Sequence, residues 1–127
     1  MGFMSFMPTT SCDIRRPYGG SIQTEDEPCS IRALRKSDAI PPHLANANVT
    51  HILCVGPAVD VQDTASNAVS STSITLADGD EVRVPSGGST VYVVLWVDRV
   101  SHGTAFEHKR VYLIRRSVTW TDPESAP

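Results

Sequence analysis

Two stretches decide the fold: Thr90-Val91-Tyr92-Val93-Val94-Leu95-Trp96-Val97-Asp98-Arg99-Val100 and, one loop later, His108-Lys109-Arg110-Val111-Tyr112-Leu113-Ile114-Arg115-Arg116. The first is apolar on both faces for most of its length, the pattern of a central strand or of one wrapped into a barrel. Strict alternation places Tyr92 and Trp96 on the same side of it, where packing into a core or a subunit interface is favoured over base stacking. The second returns with Val111, Leu113 and Lys109 on one side and Tyr112 and Ile114 on the other. Ser101 to Glu107, with Gly103 inside it, reads as the hairpin loop between them.

Strand signals continue outward from this pair. Glu81-Val82-Arg83-Val84-Pro85 alternates cleanly between two turns, Asp78-Gly79-Asp80 and Ser86-Gly87-Gly88. Val49 to Val55 is a strand stopped by Gly56-Pro57, and Ala58 to Asp63 is a short alternating piece. Thr10 to Arg16 stops at Pro17-Tyr18-Gly19-Gly20. It is expected to pair, across a loop of about ten residues, with the alternating run Glu27 to Leu34. Such a pairing lets Cys12 and Cys29 face one core as small buried hydrophobes. Pro41-Pro42 forbids a continuous helix between Arg35 and Asn48. The polar segment Thr64 to Thr75 reads as a loop. No amphipathic helix stands out. The expectation is an all-β chain, a small antiparallel β-barrel or sandwich of about six to seven short strands with long loops.

The length of 127 residues fits one domain. Residues 1–10 read as an N-terminal arm, 10–117 as the barrel core and 118–127 as an extended tail. No stretch approaches the roughly 18 apolar residues of a membrane helix, and the N-terminus lacks the basic start and apolar run of a signal peptide. Cys12, Cys29 and Cys54 are an odd, widely spaced set, unlike a secreted disulfide framework. A reducing cytoplasmic setting is expected.

The net charge of −3 argues against a domain whose affinity comes from general phosphate neutralisation. The charge is unevenly spread. From Asp60 to Glu81 every charged residue is acidic (Asp60, Asp63, Asp78, Asp80, Glu81), whereas from Arg99 to Arg116 the bases Arg99, Lys109, Arg110, Arg115 and Arg116 prevail. These stretches are the candidate lumen or interface residues, complementary surfaces for copies of the chain or solvated faces.

No catalytic constellation emerges. His43, His51, His102 and His108 stand in no zinc-binding spacing, although His102, Glu107 and His108 gather around one hairpin loop. No nucleophile elbow surrounds any serine, and each cysteine lies inside a strand signal, where burial quenches reactivity. Ser86-Gly87-Gly88-Ser89 lies between strands and not at a helix start, so it reads as a turn and not a phosphate cradle. The expectation is a non-enzyme without cofactor or metal.

A family resemblance gives this a direction. The order Val59-Asp60-Val61-Gln62-Asp63, then Asp78-Gly79-Asp80-Glu81-Val82-Arg83-Val84, then the long strand ending Val97-Asp98-Arg99-Val100, a loop, and His108 to Arg116 resembles the small head–tail joining proteins of tailed bacteriophages, the head-completion or stopper type. Cys12-Asp13-Ile14-Arg15-Arg16-Pro17-Tyr18-Gly19-Gly20 resembles that family's opening strand. The resemblance implies a β-barrel subunit of a ring in the virion neck, assembled in the host cytoplasm. It implies contacts with copies of itself, with portal or adaptor and tail proteins, and with packaged double-stranded DNA in the lumen, and no membrane. In that setting the Asp60 to Glu81 acids would line a channel through which DNA slides without sticking. The chain departs from the family in its Thr64 to Thr75 segment and its Met- and Phe-rich start. The alternatives are a small barrel that binds single-stranded nucleic acid, with Tyr92, Trp96 and Tyr112 as stacking groups, and a tail-terminator or adaptor subunit.

Overall fold

The computed structural model describes residues 8–17, 22–38, 40–44, 48–63, 79–101, 103–104 and 107–116. The arm up to Met7, the Thr64 to Thr75 segment, Asp78, His102 and the tail therefore lie outside the described residues. The described strands are β1 (Thr10–Arg15), β2 (Ile22–Ala33), β3 (His51–Val55), β4 (Glu81–Arg83), β5 (Val91–Val100) and β6 (His108–Arg116), with one short 3₁₀ turn at Pro42–Leu44. They close into an antiparallel barrel in the order β1-β2-β3-β6-β5-β4.

Alternation sets the interior. Cys12 and Ile14 of β1, Cys29 of β2, Leu53 and Val55 of β3, Val82 of β4, Tyr92 and Val94 of β5, and Val111 and Leu113 of β6 form one buried cluster. This fills the barrel with side chains, as a small barrel requires. Cys12 and Cys29 face the same core, both without solvent exposure. The hydrogen bond between them, and then burial, push the Cys12 thiol well above its ordinary pKa.

Three local features depart from the alternation expected of the sequence. Ala58 to Asp63 is not a strand. It crosses one end of the barrel as irregular chain, yet Val59 and Val61 are buried in the core cluster while Asp60 points out. The alternation there marks a plug. β2 begins at Ile22, well before Glu27, and its polar start pairs irregularly: the register to β1 shifts between Cys12 and Ile14 and again between Ile14 and Arg15, and Asp26 adopts φ 53°. Finally, β5 carries a bulge at Leu95, since Val94 pairs with Leu113 but Trp96 pairs with Tyr112. That extra residue separates Tyr92, inside the barrel, from Trp96, which stacks on Tyr112 outside it with ring centroids 5.6 Å apart. The expectation that Tyr92 and Trp96 share a side fails for this reason.

Outside the barrel wall a second apolar cluster joins Leu44, Val49, Ile52 and Tyr112, with Leu34, Leu95 and Trp96 against it. The connection from β2 to β3 thus folds back on the wall, and its Pro41-Pro42 pair initiates the turn that delivers Leu44.

The plugged end is held by backbone contact. Asp80 N–H donates to the Gln62 carbonyl (3.0 Å), and Val94 N–H donates to the Asp80 carbonyl (2.8 Å). A Cβ at Gly79 would lie 1.7 Å from the Val94 carbonyl oxygen. Gly79→Ala is therefore expected to cost about 3 kcal/mol or more in urea unfolding. Gly103→Ala, at φ 81° but in open space, is expected to cost about 1–2 kcal/mol, from backbone conformation alone. Equal, small losses at both positions would contradict the close approach at Gly79.

Candidate functional site: a polar seam and an outer surface

The barrel closes through a short ladder. β1 meets β4 only at Asp13–Arg83, Ile14–Val82 and Arg15–Glu81. Pro85, two residues past β4, has no N–H to donate, and the Ser86 N–H donates instead to the Ser11 carbonyl (2.9 Å). Ile14 and Val82 point inward, so Asp13, Arg15, Glu81 and Arg83 share the outer face, and the antiparallel register sets each acid opposite a base.

Asp13 is the hub. Its Oδ2 accepts from Arg83 Nε (2.8 Å), Arg83 Nη2 (2.6 Å) and Gly87 N–H (3.1 Å). Its Oδ1 accepts from Ser86 Oγ (2.6 Å) and from the N–H of Asp26 at the β2 bulge (2.9 Å). One carboxylate thereby ties β1 to β2, β4 and the β4–β5 turn. Burial alone would raise its pKa, but the Ser86, Asp26, Arg83 and Gly87 hydrogen bonds outweigh that and hold it below the usual carboxylate range. Next along the seam, Arg15 Nε donates to Glu81 Oε1 (2.7 Å), both side chains less than 10% exposed. Val91 and Val93, the β5 partners of Arg83 and Glu81, are also buried.

Asp80 is a second hub at the plugged end. It accepts from Arg16 Nη1 (2.6 Å) and from Gln62 N–H (2.9 Å), while Arg16 Nη2 donates to Asp60 Oδ2 (2.8 Å). The Asp80 side chain has no solvent exposure. It therefore holds the plug in place and offers no charge to a channel. Asp60 is half-exposed but paired with Arg16, Asp63 is half-buried, and Asp78 lies outside the described residues. Among the described residues, Asp60, Asp63, Asp80 and Glu81 do not form one open surface.

The basic stretch also divides. Lys109 Nζ donates to the Val59 carbonyl (2.6 Å), and burial, then the neighbouring Arg99, lowers its pKa against the pull of Asp60 and Glu107. Arg99 pairs with Glu107 at 3.5 Å. Arg110 hydrogen-bonds Cys54, whose thiol burial pushes up. It lines a shallow groove of about 270 Å³ with Thr9, Ser30, Arg32, Ile52 and Cys54, in which Arg32 is already held by Asp38 at 2.6 and 2.7 Å. Arg115 and Arg116 are exposed at the far end of β6, about 20 Å from Lys109 at the usual strand rise.

Of the histidines, His51 packs edge-on against Tyr92 (centroids 4.8 Å apart), and burial, then Arg115, lowers its pKa. His108 opens β6, whereas His102 is outside the described residues. Glu107 accepts from Gly103 N–H (3.1 Å). Among the described residues no group of His, Cys, Asp or Glu is placed to hold a metal ion, and no helix is long and apolar enough to cross a membrane.

Sequence reasoning missed Asp13 and Arg83. The signal that could have found them is the pair of runs Asp13-Ile14-Arg15 and Glu81-Val82-Arg83, which form opposite-charge pairs only when antiparallel and in this register. Comparison of the chain with protein-family models, with curated proteins and with solved structures found no match.

Asp13→Asn leaves the Arg83 guanidinium buried without its counter-charge and is expected to cost about 3–5 kcal/mol. Asp60→Asn, at a half-exposed pair, is expected to cost less than about 1 kcal/mol. Because the folded-state pKa of Asp13 is depressed, its contribution is complete above the unfolded value of about 3.9 and is lost as pH falls through the folded value. Urea midpoints followed downward from about pH 5 should fall more steeply for the wild type than for Asp13→Asn. Parallel slopes would contradict the hub.

Proposed function

We propose that this chain is a virion structural protein of the head-to-tail interface of a tailed bacteriophage, a ring-forming stopper subunit that joins portal to tail and retains packaged DNA. The observation that carries the reading is the closed barrel built on the β5–β6 ribbon, since that ribbon also carries the family resemblance. β5 pairs with β4 only over Val91 to Val93, but with β6 all the way to Val100. β6 itself stays in the wall, paired with β3 down to Lys109, so beyond Val94 one edge of β5 has no strand partner among the described residues, an open edge that a connector subunit can set against its neighbours. The polar side chains of the seam bind the protein's own walls together, which suits a part that works through its surface.

The same geometry weighs against a single-stranded nucleic-acid barrel. Such a barrel needs aromatic faces open to bases. Here Trp96 and Tyr112 stack on each other, and Tyr92 is 8% exposed inside the core. No α-helix occurs among the described residues, which favours the stopper over a tail terminator or an adaptor.

The partners of this reading are copies of the chain, the portal or adaptor, the tail, and double-stranded DNA in the lumen. Deleting the coding sequence from the phage genome that carries it should leave tail-less heads that lose packaged DNA, with free tails accumulating. Electron micrographs of lysates check this, and a plasmid copy should restore tailed particles. Normal, infectious tailed particles from the deletion would overturn the proposal.

A further inference from the structure

Many charged side chains of the barrel are neutralised at home: Arg15 by Glu81, Arg16 by Asp60 and Asp80, Arg32 by Asp38, Arg83 by Asp13 and Arg99 by Glu107. Against that background two groups differ. Glu25, Asp26 and Glu27 lie at the bulge of β2, the first two exposed and Glu27 half-buried, and none forms an ion pair among the described residues. Arg35 and Lys36 lie where the chain leaves β2, with Arg115 nearby, all exposed and none in an ion pair among the described residues. Thr50 brings that corner together: its carbonyl accepts from Leu34 N–H (2.9 Å) and its hydroxyl from Arg115 N–H (2.8 Å). Asp38, beside Arg35, is committed to Arg32 and to the Arg35 backbone N–H.

The two patches have opposite sign and equal size, and they sit toward opposite ends of one strand. From Asp26 to Arg35 the chain covers at most about 30 Å of contour. An acidic patch suits a cationic partner, and this chain supplies one that forms no ion pair among the described residues. A polyanion would suit the basic corner alone and would be repelled by the bulge, so a second copy fits the pair of patches better than DNA does. The contact runs through side chains and not by strand addition, because the bulge at Asp26 and the proline at Pro28 blunt that edge.

We infer that copies of the chain join head to tail, with Glu25, Asp26 and Glu27 of one copy set against Arg35, Lys36 and Arg115 of the next. Such a contact is heterologous, and it closes into a ring when the rotation per copy divides the circle. The inference rests on the ring-forming reading above and names its surfaces. It also relocates them, because Asp60, Asp80, Glu81, Arg99 and Lys109 have partners within the subunit.

Charge reversal tests it, read by sedimentation velocity and native mass spectrometry of the full chain at about 50 mM salt, where screening is weak. Glu25→Lys/Glu27→Lys and, separately, Arg35→Glu/Arg115→Glu should each weaken self-association at least about tenfold. Asp26 is left unchanged because of its φ. An equimolar mixture of the two variants restores both kinds of contact and should recover wild-type assembly, in even-numbered species. Recovery on mixing also shows that the variants are folded. Wild-type assembly that neither reversal weakens would overturn these surfaces while leaving the ring reading intact. Reversals that weaken assembly without recovery on mixing would overturn the specific pairing. A wild-type chain that stays monomeric at every concentration would overturn the ring reading and this inference with it.

Discussion

The carboxylate of Asp13 is the constraint on which the rest of the barrel depends. A six-stranded sheet can close only if its first and last partners meet, and here they meet over a few residues of β1 and β4. So short a ladder adds little backbone pairing. The seam is instead fastened by side chains, with Arg83 pulled onto Asp13 and Glu81 onto Arg15 across the same register. Taking these charges out of water is costly, and the cost is offset only because the remaining acceptor sites of Asp13 are filled by Ser86, Gly87 and Asp26. Those same bonds hold the β4–β5 turn and the β2 bulge, so closure, turn and bulge stand or fall together.

Asp80 repeats this logic at the plugged end. Its side chain gathers Arg16 and the backbone of Gln62, and its carbonyl receives the Val94 N–H. Val59 and Val61 can then cover the end of the apolar interior. The result is a barrel packed with side chains, bounded by polar fasteners, whose remaining unsatisfied charge lies on its outer surface. That arrangement suits a protein that acts by fitting against others, and it is the physical content of the neck-subunit proposal.

Much of the architecture was legible in the sequence because it rests on period-two alternation. The limits of β6 agree with the pattern, those of β5 agree to one residue, and the shared core of Cys12 and Cys29 follows from two alternating runs. What escaped has a common cause. Bulges at Leu95 and Asp26 shift the phase of a strand by one residue, and no signal in either stretch marks the insertion. The Val59-Asp60-Val61 alternation was visible, but a plug and a strand look alike when only side-chain direction is read. Asp80 read as a surface acid because its partner, Arg16, is far away in sequence. Asp13 and Arg83 went unnoticed because their meaning depends on a register that only the closed barrel establishes.

The central claim joins a self-fastened barrel to a ring at the neck of a tailed phage. Cryo-electron microscopy of the particles made by the phage that encodes this chain tests it most directly. The account predicts a ring of copies between portal and tail, each a closed six-stranded barrel. A neck complete without this chain would contradict it.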